Sequence, residues 1–161
     1  MPDQFKEFIT VLDAFDKQRV DYVLIGGVAL VLHGMGRLTR DVDIFVRMVP
    51  ENIDRLRMAL DSVFHDPSIE EITLTELQKY AVVRYGTPSG FYIDIMARLG
   101  VTASFDSLKY ENLDYQGTTI KLATAEILYS LKKDSLRDQD KIDAMFLKDL
   151  LKARGSKPVS E

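Results

Sequence analysis

The chain contains no cysteine and no tryptophan, and its only histidines are His33 and His65. The lack of cysteine excludes disulfides and thiolate metal centres, and it fits a reducing compartment. Two histidines are too few for a histidine-rich metal site. His65-Asp66 has the form of a metal-phosphohydrolase pair, but the further histidines such a site needs are missing. His65 is therefore expected at a helix end. No G-x-G-x-x-G dinucleotide fingerprint, no phosphate loop ending in Gly-Lys-Ser/Thr and no G-x-S-x-G elbow occurs. No apolar run approaches the roughly 20 residues that span a bilayer. Met1-Pro-Asp-Gln-Phe-Lys-Glu7 has no basic region leading into an apolar stretch. A cytoplasmic protein without membrane association is expected.

What is present suits one globular domain. The chain has 161 residues, 46% hydrophobic and 29% charged, enough for a substantial core. Residues 1–153 are expected to form that domain and 154–161 a flexible tail. The net charge is −4, which argues against a dedicated duplex-DNA binder. Residues 121–161 hold 9 Lys/Arg against 7 Asp/Glu, while residues 1–120 hold 12 against 18. The C-terminal segment is thus mildly basic.

Apolar spacing predicts the elements. Phe5, Phe8, Ile9, Leu12 and Phe15 predict an amphipathic helix over 3–18. Val20 to Ile25 reads as a central strand covered on both faces. Gly26-Gly27 ends it, and Val28 to Leu32 reads as a short buried helix stopping at Gly34 and Gly36. Val42–Val46 is a second strand. Pro50 opens a helix with Ile53, Leu56, Leu60, Val63 and Phe64 inward, ended by Pro67. Ile72 to Leu74 reads as a weak strand. Tyr80–Tyr85 and Phe91–Met96 form a hairpin around the turn 86–90, and Leu113–Tyr115 with Thr118–Leu122 a second one. A helix over 124–133 follows. Ser135 with Asp138 reads as a capping box for a last helix that buries Ile142, Met145, Phe146 and Leu150.

Chemistry concentrates in the second strand. Alternation puts Asp41 and Asp43 on one face and Val42 and Ile44 on the other. Two carboxylates this close repel unless a proton or cation lies between them. Mg2+ prefers oxygen ligands and takes one or two protein carboxylates, leaving the rest of its shell to phosphates and water. On spacing alone, two solvated aspartates at a strand edge account for the pattern equally well. The unbroken Ile44-Phe-Val46 and a further lone carboxylate, Asp94 in Tyr92-Ile-Asp-Ile-Met96, shift the balance. If the two strands are neighbours, three carboxylates converge, as two-metal phosphoryl transfer requires.

Other residues carry two readings. Gly26-Gly27 is either a plain tight turn or a helix start whose N–H groups meet a phosphate. Arg37, Thr39 and Arg40 lie before the carboxylate strand, where they either bind phosphate or hold the loop, and Arg40 can pair with Asp41. Arg137, Asp140 and Asp143 recur on one helix face and read as solvated pairs or as lining of a site.

Taken together, Gly26-Gly27, Asp41-Val-Asp43 and Asp94 resemble the DNA polymerase β-type nucleotidyltransferase superfamily. Within it the chain is similar to the small bacterial AbiEii/MenT-type group, many of whose members are toxins of toxin–antitoxin systems. Lys132, Arg137, Asp140 and Asp143 resemble that group's K…R-x-K-D-x-x-D signature, with Gln139 in place of the second lysine. The resemblance implies an α/β nucleotidyltransferase fold, a mixed sheet flanked by helices, with C-terminal helices closing a cleft. Asp41 and Asp43 would ligate Mg2+ or Mn2+, and Asp94 would be a third ligand or the base for the incoming hydroxyl. Gly26 and Gly27 would contact the triphosphate of an NTP, with Arg37 and Thr39 nearby. Lys132, Arg137 and Asp140 would line the far wall.

The implied reaction is transfer of an NMP group from an NTP to a hydroxyl, with the tRNA 3′ end as favoured acceptor and a cognate antitoxin as implied partner. Antibiotic-type small-molecule or protein nucleotidylation shares the same core motif. A non-catalytic member that binds a partner through this fold is a reading of another class, and a D-x-D sugar transferase is a weaker one.

Overall fold

The computed structural model describes residues 4–98 and 104–155. The expected tail therefore lies almost wholly outside the described residues. Six strands form one mixed sheet in the order β3-β4-β2-β1-β6-β5. They are β1 (Tyr22–Ile25), β2 (Asp41–Val46), β3 (Val82–Gly86), β4 (Tyr92–Met96), β5 (Tyr110–Tyr115) and β6 (Thr118–Ala123). β1 runs antiparallel to β2 and parallel to β6, and β2 runs parallel to β4. β3–β4 and β5–β6 are the two expected hairpins. Gln116 and Gly117 both have positive φ, 51° and 88°, as a two-residue hairpin turn of this twist needs.

The helices are α1 (Gln4–Lys17), α2 (Gly26–Leu32), α3 (Pro50–Phe64), α4 (Leu74–Lys79), α5 (Ala125–Lys132) and α6 (Asp138–Ala153). α1 lies against α3 and β6, α2 against β2, and α5 against α6. Phe8, Val11, Leu12 and Phe15 of α1 are buried, at the spacing of one helix face. Phe8 meets the Phe91 ring edge-on at 4.9 Å, and Phe64 of α3 joins the same cluster. All four residues of β1 are buried, as a central strand should be. Asn52 is buried on α3 but fully bonded: its side chain accepts from Asp21 N–H and donates to the carbonyls of Asp21 and Arg47.

Three expectations are corrected. Ile72 to Leu74 is not a strand. Asp66 accepts from Ser68 N–H and opens a 3-10 turn at Pro67–Glu71, and Thr73 caps α4 by accepting from Glu76 N–H. Ser135 does not cap the last helix, because α6 begins at Asp138 after Arg137. The Ser135 hydroxyl instead donates to Asp140 and accepts from Arg137 N–H. The buried face of α6 is also rotated. Ile142 and Met145 are exposed, while Asp143, Ala144, Leu147 and Leu151 are buried. Ion pairs draw Asp143 inward, and its face follows. His65 does end α3, in the left-handed conformation.

Candidate active site

The register of four strands builds the site. Arg84 pairs with Asp94, Asp94 with Asp43, and Asp43 with Ile25. Laterally paired residues share a sheet face, so this is one transverse row, with Gly26 immediately after its end. Asp41 lies two positions before Asp43, on the same face. The two carboxylate strands are neighbours, as the convergence required, and Asp43 and Asp94 stand directly side by side.

Electrostatics follow from that placement. Burial, together with the charges of Asp94 and Asp41, pushes the Asp43 carboxyl from 3.8 up to about 7, against a smaller opposing pull from Lys132. The nearness of Asp94 across the β2–β4 pairing is thus part of what favours the protonated form of Asp43. Arg84 answers the remaining charge. Its Nε donates to Asp94 Oδ1 at 2.8 Å and its Nη2 to Asp94 Oδ2 at 3.0 Å, and Nη2 also reaches Asp41 Oδ2 at 3.3 Å. Among the described residues no three acidic or imidazole groups are gathered as a ready cation site. The Arg84 guanidinium spans the gap between Asp41 and Asp94.

Gly26 is the hinge between β1 and this row. Its φ is +74°, and a Cβ there would collide with the Asp43 carboxylate. Gly27 backs onto the loop, where a Cβ would lie 2.6 Å from Thr39 Oγ1. Both glycines thus have a steric reason: the backbone approaches a side chain closely at each. No side chain caps the start of α2. Thr39 donates to the Asp41 carbonyl at 3.3 Å and braces the start of β2.

The far wall is a second charge cluster. Asp143 is fully buried and receives Arg37 Nη1 at 2.6 Å, Lys132 Nζ at 2.9 Å and Gln139 Nε2 at 2.8 Å. Lys132 also donates to Asp140 at 2.9 Å, and Asp140 accepts from Ser135. The Lys132 and Ser135 contacts hold the Asp140 carboxyl below its usual range against the opposing effect of burial. These residues are not solvated pairs on a helix surface. Gln139, in the signature's lysine position, completes the shell of Asp143 without adding a charge. Arg137 lines the cleft, and neither it nor Arg40 makes an ion pair among the described residues. The expected Arg40–Asp41 pair is therefore absent there, since Asp41 faces Arg84.

The two clusters enclose adjoining cavities. One, of about 410 Å³, is lined by Gly26, Gly27, Thr39, Asp41, Asp43 and the Lys132–Asp143 wall. The other, of about 520 Å³, shares Gly26, Asp43, Lys132, Arg137 and Asp140, and adds Asp94 and the apolar Ile25, Val82, Met96, Leu128 and Leu131. Every site residue expected from sequence borders this composite cleft or bonds to a residue that does. Arg84 and its stacking partner Tyr92 are additions. Only the β3–β4 register, which places Arg84 opposite Asp94, could have signalled them. His33 lies outside the site: its Nε2 is 2.8 Å from the Ala123 carbonyl in the core.

Residues 10–126 match the family described as nucleotidyl transferase AbiEii toxin, type IV toxin–antitoxin system. The chain belongs to the AbiEii nucleotidyltransferase family. It is thus a nucleotidyltransferase by family membership, and the matched span carries both glycines and all three aspartates of the strands. The fold agrees. A lincosamide antibiotic adenylyltransferase, LnuA, in its lincomycin-bound crystal structure, superposes with a TM-score of 0.56 at 19% identity, over 90% of this chain and 96% of that one. An antigenic nucleotidyltransferase-like protein from Paracoccidioides brasiliensis also gives 0.56, at 21% identity, over 92% of this chain and 77% of that one. These two show the shared nucleotidyltransferase fold. Comparison with curated proteins found no match. No described helix of this AbiEii-family chain is long and apolar enough to cross a membrane.

Proposed function

We propose that this enzyme is a cytoplasmic, divalent-metal-dependent nucleotidyltransferase that moves an NMP group from an NTP to a hydroxyl. The observation that carries this reading is the Asp43–Asp94 pair, with Asp41 beside it, set against the Gly26 turn in one cleft. An acid raised to about 7 by burial and by its acidic neighbours is a site whose donor chemistry suits a hard cation. Asp41, Asp43 and Asp94 would hold Mg2+ or Mn2+, and the cation would supply charge neutralisation of the triphosphate and of the attacking oxygen.

The protein's own groups do the rest. Gly26 and Gly27 leave the backbone open to phosphate oxygens. Asp94 accepts the proton of the acceptor hydroxyl as its oxygen bonds to the α-phosphorus. The bond from that phosphorus to the bridging oxygen breaks, and pyrophosphate leaves. Arg137 supplies positive charge toward the leaving group. Lys132, fastened to Asp140 and Asp143, sets the position of that wall and adds charge to it.

The family description, a toxin of a type IV toxin–antitoxin system, supports a toxin with a cognate antitoxin, and the acceptor proposed for it is the tRNA 3′ end. A second reading has its own observation. The apolar wall of Ile25, Val82, Met96, Leu128 and Leu131 beside Asp94 suits a small hydroxyl-bearing molecule. Incubation with labelled NTPs and Mg2+, against total RNA and separately against a panel of hydroxylated antibiotics, tests both. Label is expected on RNA, and none with Asp43→Ala. Label only on a small molecule would replace the acceptor. No transfer to any acceptor, with NTP binding indifferent to metal, would remove the enzymatic reading.

A further inference from the structure

Among the described residues, Arg84 is the one cation in direct contact with the carboxylates of the transverse row. Its guanidinium uses both Asp94 oxygens and one Asp41 oxygen, the donors a divalent cation would need. The side chain is not there by default. It is about half exposed, whereas the Asp94 side chain is 12% exposed, so water is freely available to the arginine. A fork of two parallel N–H···O bonds to one carboxylate is the geometry that favours arginine over a hydrated state. Tyr92 adds to it: its ring lies 4.4 Å below the guanidinium carbon. Gly86 pairs with Tyr92 across the hairpin.

We propose that Arg84 stands in for the metal, holding Asp41 and Asp94 in the nucleotide-free protein until a cation arrives together with a triphosphate. The inference rests on the metal-dependent transfer proposed above. Free Mg2+ sheds water reluctantly and must displace a bidentate guanidinium to reach these carboxylates. A metal–triphosphate changes the balance. It brings the cation, and its phosphate oxygens give the released guanidinium a new planar partner. Metal binding and nucleotide binding thereby become mutually dependent, each supplying what the other displaces. Arg84 is a positioning residue in this account: it orders the carboxylates and sets when they are available.

Mn2+ binding to the full chain, followed by its electron paramagnetic resonance signal, tests this without turnover. In the nucleotide-free protein, Arg84→Met should bind Mn2+ about tenfold more tightly than wild type, because the competing charge-assisted pair is gone. Arg84→Lys, with charge but no fork, should fall between. Arg40→Met removes the same charge from the cleft without breaking an ion pair to Asp41 or Asp94, and should change the affinity by about twofold at most. Wild type should gain Mn2+ affinity when a non-hydrolysable NTP analogue is added, and Arg84→Met should gain less. If wild type binds Mn2+ with the analogue, but Arg84→Met binds Mn2+ alone no better than wild type, the inference is overturned and the transferase reading stands. An equal gain in Arg40→Met would reduce the effect to general field and also overturn it. Binding of Mn2+ by no form, with or without the analogue, would overturn both. Arg84→Met leaves the nearly buried Asp94 without its counter-ion and should melt at a lower temperature than wild type, so a far-ultraviolet circular dichroism spectrum matching wild type at the temperature of the titration excludes misfolding as the cause.

Discussion

Arg37 and Asp143, 106 residues apart, meet at 2.6 Å around a carboxylate with no exposed surface. One residue belongs to the loop before β2, and the other to α6. Their contact, shared with Lys132, ties the carboxylate strand to the far wall of the cleft.

Removing that carboxylate leaves two largely buried cations facing each other. Asp143→Ala should destabilise the fold by about 3–5 kcal/mol, the usual penalty for breaking a buried pair from one side. Arg37→Ala should be milder, since Lys132 and Gln139 still serve Asp143. Urea unfolding at neutral pH reads both. A loss within about 1 kcal/mol for Asp143→Ala would mean the cluster is solvated after all.

Gly26→Ala should fail twice. The left-handed backbone disfavours a side chain, and the new methyl takes the space of the Asp43 carboxylate. A stability loss of about 2 kcal/mol or more is expected, together with loss of metal-dependent nucleotide binding. Calorimetric titration with Mg2+–NTP would contradict the steric account if affinity were retained.

The raised acid at Asp43 gives a signed pH effect. Its folded value of about 7 lies above the ordinary 3.8. Between those values the native state binds the extra proton, so this group's contribution to stability falls as pH rises through the window. A cation competes with the same proton. The rise in melting temperature produced by Mg2+ plus NTP should therefore be small at pH 6 and larger at pH 8. A shift independent of pH would show that Asp43 is not the site of competition.

Asp43→Asn separates stability from chemistry. At pH 8 it removes a partly buried charge from between two others and should stabilise the protein by about 1–2 kcal/mol, a gain that disappears near pH 5. Transferase activity should fall by on the order of a hundredfold or more in the same variant. Thermal melts at both pH values and a single-turnover assay check the pair of outcomes. A variant no more stable at pH 8 than wild type would refute the like-charge argument.

Much of this was legible from local pattern. The strand–glycine–helix unit at Tyr22 to Leu32, the Asp41-Val-Asp43 strand and both hairpins follow from apolar spacing and turn residues, which act over a few positions. Where pairing across the chain decides, the sequence is silent. Arg84 looks like any exposed strand arginine until the hairpin register sets it against Asp94. Asp143 looks like one charge among several on α6 until Arg37 and Lys132 converge on it, and that convergence also turns Ile142 and Met145 outward. The strand expected at Ile72 to Leu74 failed for a local reason: Asp66-Pro67 and Thr73 with Glu76 are helix-start signals, and they outweigh three apolar or β-branched residues.

The Asp43–Asp94 pairing also has a meaning for how such a chain can change over time. The carboxylate row is set by strand register, and the register has a period of two. Deleting one residue within β4 would leave an apolar, sheet-forming segment, yet it would send Asp94 to the opposite face among Ile93 and Ile95's present neighbours. Lengthening the 87–91 turn would add residues at the rim and disturb none of the row. Insertions at the sheet's ends thus leave the row intact, while a single slip inside either carboxylate strand would break up the row on which the proposed reaction rests.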